Sequence, residues 1–175
     1  RWPRVEDVDA ALEGARGGWA EAGSRALDVS GLTVERNLHR YRRPEARRAT
    51  VRVDDSVSDD ELAYLAGLAD VTGVAIVAVG EPGTSREGVV EVPLGELADG
   101  AAANARMRWL SEEEPPVESL MDRGISLDRR PLAQAGHVEA PRWLLEQSVA
   151  VTAHRYGNTR AGPKPSVPGL GEPAR

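Results

Sequence analysis

The chain has 175 residues, a formal net charge of −6, 41% apolar and 29% charged residues, and no cysteine. That length supports one domain burying roughly 70% of its unfolded surface, and the apolar content is that of a globular chain rather than a disordered one. Without cysteine there is no disulfide, thiolate nucleophile, Cys-ligated zinc or iron–sulfur cluster, and the negative charge argues against general nucleic-acid affinity although 21 of the 22 basic residues are Arg.

From Val5 to Ala26 the apolar positions Val5, Val8, Leu12, Ala15, Trp19, Ala22 and Ala26 step by three and four, which predicts a helix weakened near Gly17-Gly18. The stretch SGLTVERNLHRYRRPEARR has six Arg between Arg36 and Arg48 and no clean period, so it reads as a connector arm. ATVRVDD, at Ala49–Asp55, predicts a strand over Ala49–Val53. A helix over Ser58–Thr72 follows, with Ser58 and Glu61 in capping-box spacing, Leu62, Leu65, Leu68 and Ala69 as its buried stripe, and Gly73 as its stop. VAIVAVG is a continuous apolar run of the kind a doubly covered parallel strand carries. A β-α-β unit therefore spans Ala49 to Val79, with a right-handed crossover expected. Further on, GVVEVPL predicts a short strand, GELADGAAANA a weak helix, ARMRWL a strand, EEEPPVESLMDRG a helix and ISLDRRPL a strand-like return. APRWLLEQ predicts a short helix and SVAVTA a last strand. The tail after Asn158 holds too much Gly and Pro for a helix or a ladder and is expected to be mobile.

The expected fold is α/β: a mainly parallel, Rossmann-like sheet of about four to six strands with helices on both faces, preceded by an N-terminal helix and a connector arm. The expected division is 1–48 for helix and arm, 49–158 for the α/β domain and 159–175 for the tail. No apolar run approaches the roughly 18 residues of a membrane span, and RWPRVEDVD does not resemble a signal peptide. A soluble chain is expected, with no membrane span. Its start at Arg1, opening directly into an amphipathic segment, is what a piece of a longer protein would show.

Candidate chemistry is sparse. His39, His137 and His154 are far apart and share no metal-ligand spacing, so no metal site is expected. No G-x-S-x-G occurs. The Gly-rich GEPGTSREG from Gly80 follows an apolar strand but lacks a Walker lysine and the G-x-G-x-x-G order, so a surface turn outweighs a nucleotide cradle. Glu112-Glu113-Glu114 precedes Pro115-Pro116 at an expected helix start, where the dipole favours negative charge over a carboxylate-pair role. The Arg cluster suits oxyanions, yet pairing with carboxylates of another domain or subunit fits an acidic chain as well.

Two blocks resemble a known family. Leu32-Thr33-Val34-Glu35-Arg36-Asn37-Leu38-His39-Arg40-Tyr41 is similar to a "TG-ERN-x-x-x-Y" segment that follows the aldehyde dehydrogenase module in the bifunctional proline-catabolism flavoenzymes called proline utilization A. Leu144-Leu145-Glu146-Gln147-Ser148-Val149-Ala150-Val151, followed by His154-Arg155-Tyr156-Gly157-Asn158, resembles the end of those proteins, with Ala150 where that pattern has Ser. The resemblance implies a non-catalytic C-terminal domain of an NAD-dependent L-glutamate γ-semialdehyde dehydrogenase in proline oxidation to glutamate, of cytoplasmic location. Such a domain packs on the upstream catalytic module and helps enclose the aldehyde intermediate. It implies no catalytic, cofactor or metal residue in this chain, with NAD held by the parent enzyme and FAD as well if a proline dehydrogenase is fused to it. The interface residues it points to are Glu35, Arg36, Asn37, Arg40, Tyr41, Ser148, His154, Arg155, Tyr156 and Asn158. The alternative is a free-standing α/β domain binding a small molecule at the carboxyl ends of its strands.

Overall fold

The computed structural model describes residues 4–28, 30, 32, 35–45, 47–100 and 105–152. His154, Arg155, Tyr156, Asn158 and the tail over 159–175 lie outside them, and of Arg36 only the backbone is described.

Helix α1 (Val8–Gly18) starts at Asp7, whose side chain accepts from Ala10 N, and buries Ala11, Leu12 and Ala15. The regular helix does not reach Ala26 as the apolar spacing predicts. Past Gly17-Gly18 the backbone widens into a π-helical turn, Trp19–Gly23, where two consecutive glycines weaken the i→i−4 ladder. The arm is also not irregular. After β1 (Leu27–Asp28) comes β2 (Glu35–Arg42), an eight-residue strand. Its sequence lacks alternation because its backbone bonds come from tertiary pairing, which overrides weak local preference.

The β-α-β unit is present. Strand β3 (Arg48–Arg52) leads to α2 (Asp59–Thr72) and then to β4 (Ala75–Gly80), which lies parallel to β3 with Thr50 opposite Val77. Both halves of the α2 capping box form: Glu61 N donates to Ser58 Oγ at 3.2 Å, and Ser58 N donates to Glu61 Oε2 at 2.8 Å. Gly73 ends the helix in the left-handed region at φ 66. Replacing Ser58 by Ala removes one of these bonds and should cost about 1 kcal/mol. Thermal denaturation followed by circular dichroism should register a fall of about 2–4 °C in Tm.

Beyond β4 come β5 (Val89–Glu91), a 3₁₀ turn, α3 (Leu97–Gly100), β6 (Arg106–Trp109), α4 (Val117–Asp122) and β7 (Ser126–Asp128). Strands β3 to β7 form one five-stranded sheet in the order β5-β4-β3-β6-β7, and every neighbouring pair is parallel. Successive connections step outward from β3 to β5 on one side and from β6 to β7 on the other. This is the doubly wound arrangement, with its switch point between β3 and β6. Ala49, Val51, Val53, Ile76 and Ala78 pack on one face with residues of α1 and α2. On the opposite face Val79, Met107 and Trp109 meet Leu97 and Ala98 of α3 and Leu120 of α4. Helices on both faces explain why VAIVAVG shows no polar alternation.

The chain then forms α5 (Gly136–Glu139), a 3₁₀ turn over Ala140–Trp143, and β8 (Leu145–Thr152). The sequence assigned Leu145–Gln147 to a helix, but they are strand, because they pair with Arg42, Tyr41 and Arg40 of β2 and that long-range pairing overrides local preference. Nor does β8 join the parallel sheet. It pairs antiparallel with β2, so β1-β2-β8 is a separate three-stranded sheet.

Candidate functional site

The β2–β8 ribbon brings together the two sequence blocks singled out above, although they lie more than a hundred residues apart. Their register is continuous from Glu35 opposite Thr152 to Arg42 opposite Leu145. Asn37 faces Ala150, His39 faces Ser148 and Tyr41 faces Glu146. Side chains reinforce the ladder: Arg40 Nε donates to Gln147 Oε1 at 2.7 Å, and His39 Nε2 lies 2.9 Å from Glu146 Oε1. Asn37 Nδ2 donates to Ser30 Oγ at 3.2 Å, and the Tyr41 ring stands edge-on to His39 with centroids 5.1 Å apart. Leu38 is buried and Tyr41 packs on the main core, which anchors one end of the ribbon. Ser148 is exposed. Among the described residues β8 has a strand neighbour on one side only, so its other edge presents backbone donors and acceptors to whatever lies beside it. Of the expected interface residues the structure thus gathers Glu35, Asn37, Arg40, Tyr41 and Ser148 with the backbone of Arg36.

The second region is the switch point, where a doubly wound fold places its ligand. The loop from β3 to α2 reads VDDSVS and holds no glycine. Asp54 Oδ1 accepts from Ser56 N at 2.9 Å and Ser56 Oγ at 2.5 Å, while Asp54 Oδ2 accepts from Glu112 N at 2.6 Å. Partial burial pushes the Asp54 carboxyl up, but these bonds outweigh it and hold the pKa below the usual carboxylate range. Asp59, Asp60 and Glu61 fill the first turn of α2, and Ser58 and Glu61 already satisfy its cap.

Beside this loop, Arg52 is fully buried at the end of β3 and its guanidinium lies 6.0 Å from the Trp109 ring. Arg52 Nη2 donates to Glu81 Oε1 and, at 2.9 Å, to Glu113 Oε2; Nη1 donates to Val92 O at 3.1 Å. Glu81 Oε1 also accepts from Leu94 N at 2.9 Å. The carboxyl ends of β3, β4 and β6 are therefore covered by an internal ion network and flanked by carboxylates. A phosphate brought there would meet negative charge instead of the free N–H groups that such sites use.

Two sequence readings change in detail. Glu112–Glu114 do not sit in the first turn of α4, whose N-cap is Pro116. Glu113 binds Arg52 and Glu114 lies 3.4 Å from Arg129, so for these two pairing takes the place of the helix dipole. The Gly-rich segment after Gly80 is a turn fastened to α2: Arg86 donates to Val57 O at 2.6 Å and to Asp59 Oδ1 at 2.5 Å. It joins β4 to β5 without a helix, which leaves a groove of about 830 Å³ beside α2, lined by Leu62, Ala66, Ile76, Ala78 and Arg86. Among the described residues no three His, Asp or Glu side chains gather as a metal ion would require, and no helix is long and apolar enough to cross a membrane.

No family model matches the sequence, and no curated protein matches it either. Among solved structures the chain is similar to part of Proline Utilization A (PutA) from Corynebacterium freiburgense, with a TM-score of 0.58 and 23% sequence identity. What the two share is a fold. The alignment takes in 86% of this chain but 14% of that protein, so the chain spans a small part of the length of the protein it resembles.

Proposed function

We propose that the chain is a non-catalytic structural and assembly domain of an NAD-dependent L-glutamate γ-semialdehyde dehydrogenase in proline oxidation to glutamate. In this reading the parent is a cytoplasmic enzyme with its own NAD site, and with FAD where a proline dehydrogenase is fused. The chain packs on the catalytic module through the β2–β8 ribbon and helps enclose the aldehyde intermediate. The observation that carries the reading is the ribbon itself: the two blocks that resemble proline utilization A are neighbours in one antiparallel ladder, in register from Arg36 opposite Val151 to Tyr41 opposite Glu146, which is six residue pairs. The fold shared with part of a Proline Utilization A protein supports it. So does the chemistry, because an aldehyde dehydrogenase that works through a thiohemiacetal needs a thiol, and this chain has none. The acidic, capped start of α2 offers no cradle for a pyrophosphate.

The test has two arms. The purified chain, mixed with NAD and glutamate semialdehyde, should give no NADH above blank; production of NADH would sink the proposal. Joined to a proline utilization A catalytic module, the chain with Arg36→Ala and Tyr156→Ala should lower coupled proline-to-glutamate flux or loosen assembly, while the isolated double variant keeps its Tm. Should the isolated variant melt several degrees lower while the assembled enzyme works normally, the ribbon serves only its own domain.

A further inference from the structure

A different face of the molecule carries a site that neither the ribbon nor the switch point accounts for. Strands β6 and β7 pair with Arg106 opposite Ser126 and Arg108 opposite Asp128. Alternation along the strands puts these four side chains on one face of the sheet, the face on which the turn Ala140–Trp143 lies. Between strands and turn is a pocket of about 330 Å³, whose lining includes Arg106, Arg108, Arg130, Arg142, Asp128 and Trp143. That volume is at the lower end of the range that holds small ligands.

Charge in and behind the pocket does not cancel. Arg108 binds Glu139 at 2.8 Å and lies 3.5 Å from Asp128, Arg142 binds Glu139 at 3.0 Å, and Arg130 binds Asp128 at 2.7 Å. Three guanidinium groups thus share two carboxylates, and with Arg106 the excess is two positive charges. Both carboxylates are committed. Glu139 is fully buried between its arginines; partial burial pushes Asp128 up, but hydrogen bonds from Arg130 and the charge of Arg108 bring it down to about 2.

Arg106 has no carboxylate partner among the described residues. Its Nη1 donates to Arg142 O at 3.1 Å, which leaves other N–H groups of its fork for a ligand. A separate observation points the same way. Trp143 is 2% exposed, lies under the Arg108 guanidinium at 5.4 Å and helps form the wall, yet its buried Nε1–H has no acceptor among the described residues. A buried donor without an acceptor is costly, and a ligand oxygen would satisfy it.

We propose that this pocket binds a small dianion, a dicarboxylate or a phosphate, held by Arg106 and Arg142 with the Trp143 indole N–H as an additional donor. Guanidinium forks suit either oxyanion in bidentate fashion, and the two-charge excess selects a dianion over a monoanion. The site is distinct from the carboxyl-end crevice of the sheet: Arg106 and Ser126 are the first residues of β6 and β7.

Calorimetric titration of the whole chain with succinate, glutarate, inorganic phosphate and acetate, at constant ionic strength and near neutral pH, tests this. At least one of the three dianions should bind with one-to-one stoichiometry and about tenfold or more tighter than acetate, a difference of about 1.4 kcal/mol. Succinate or glutarate as the tightest ligand identifies a dicarboxylate site, and phosphate as the tightest identifies a phosphate site. Arg106→Gln should weaken binding by about tenfold with an unchanged Tm, and Trp143→Phe, which keeps the aromatic bulk but removes the donor, should weaken it by a smaller factor. Failure of every dianion to exceed acetate overturns the proposal, as does binding that Arg106→Gln leaves unaltered.

Discussion

Gly136→Ala should lower the Tm of the chain more than any other glycine substitution and should release α1 from the rest of the fold. A Cβ built on Gly136 would lie 1.8 Å from Ala11 O and 2.6 Å from Ala15 N, both backbone atoms of α1. Neither atom can rotate aside as a side-chain tip does, so α1 and α5 must separate. With them would go the contacts of Ala11, Leu12 and Ala15, all buried in the main core. Overpacking of this kind costs about 3 kcal/mol or more, or roughly 6–12 °C for a domain of this size. Gly17→Ala provides the contrast. Nothing lies within 4 Å of the position its Cβ would take, and exchanging a helical Gly for Ala stabilises by about 0.5–1 kcal/mol. Thermal scans of the two variants, with amide exchange measured over residues 8–18, should place them on opposite sides of the parent; equal melting temperatures would show that the α1–α5 approach is not constraining.

That contact shows where the sequence was legible and where it was not. Helix α2 was readable to the residue at its start and stop because its determinants are local: a capping box from Ser58 to Glu61 and a left-handed glycine. The parallel β3–β4 pair was readable because a fully apolar run has few other destinations. Strand β2 was not, since ERNLHRYR carries no period and becomes a strand through partners at Leu145–Thr152. Resemblance marked both blocks as important, but only the register shows that they meet. The ion networks were illegible for a related reason. Arg52 and Arg108 stand in strands as ordinary alternating charges, while their carboxylates come from loops and a helix 29, 61 and 31 residues away. Sequence spacing holds no record of such pairs. In a sheet covered on both faces an alternating Arg has no solvent side, so its charge is met by carboxylates from other elements.

The buried pair under β6 carries the other large effect. Glu139 is fully buried, and its carboxylate accepts from Arg108 Nη1 at 2.8 Å, Arg142 Nη1 at 3.0 Å and Ala133 N at 2.8 Å. Arg108 is 3% exposed and otherwise meets the carbonyls of Arg130 and Pro131 at 3.0 and 2.8 Å. Glu139→Ala leaves that guanidinium in a low-dielectric setting with Asp128 at 3.5 Å as its nearest remaining carboxylate, and should cost about 3–5 kcal/mol. Removing the charge as well should recover much of the loss, because an apolar pair of similar volume has no desolvation penalty to offset. Urea denaturation of Glu139→Leu, Arg108→Met and the double variant that combines them should therefore give strongly non-additive midpoints, the double variant exceeding Glu139→Leu in stability. The effect should reach the ribbon too. Glu139 closes α5, the turn Ala140–Trp143 follows directly, and β8 begins at Leu145, so loosening the carboxylate's grip on Arg142 unfastens the base of β8. Amide exchange in Glu139→Ala should speed up at Leu145–Gln147 before it does in β3 and β4; uniform acceleration across both sheets would mean that the network supports the parallel sheet alone and does not set the ribbon's position.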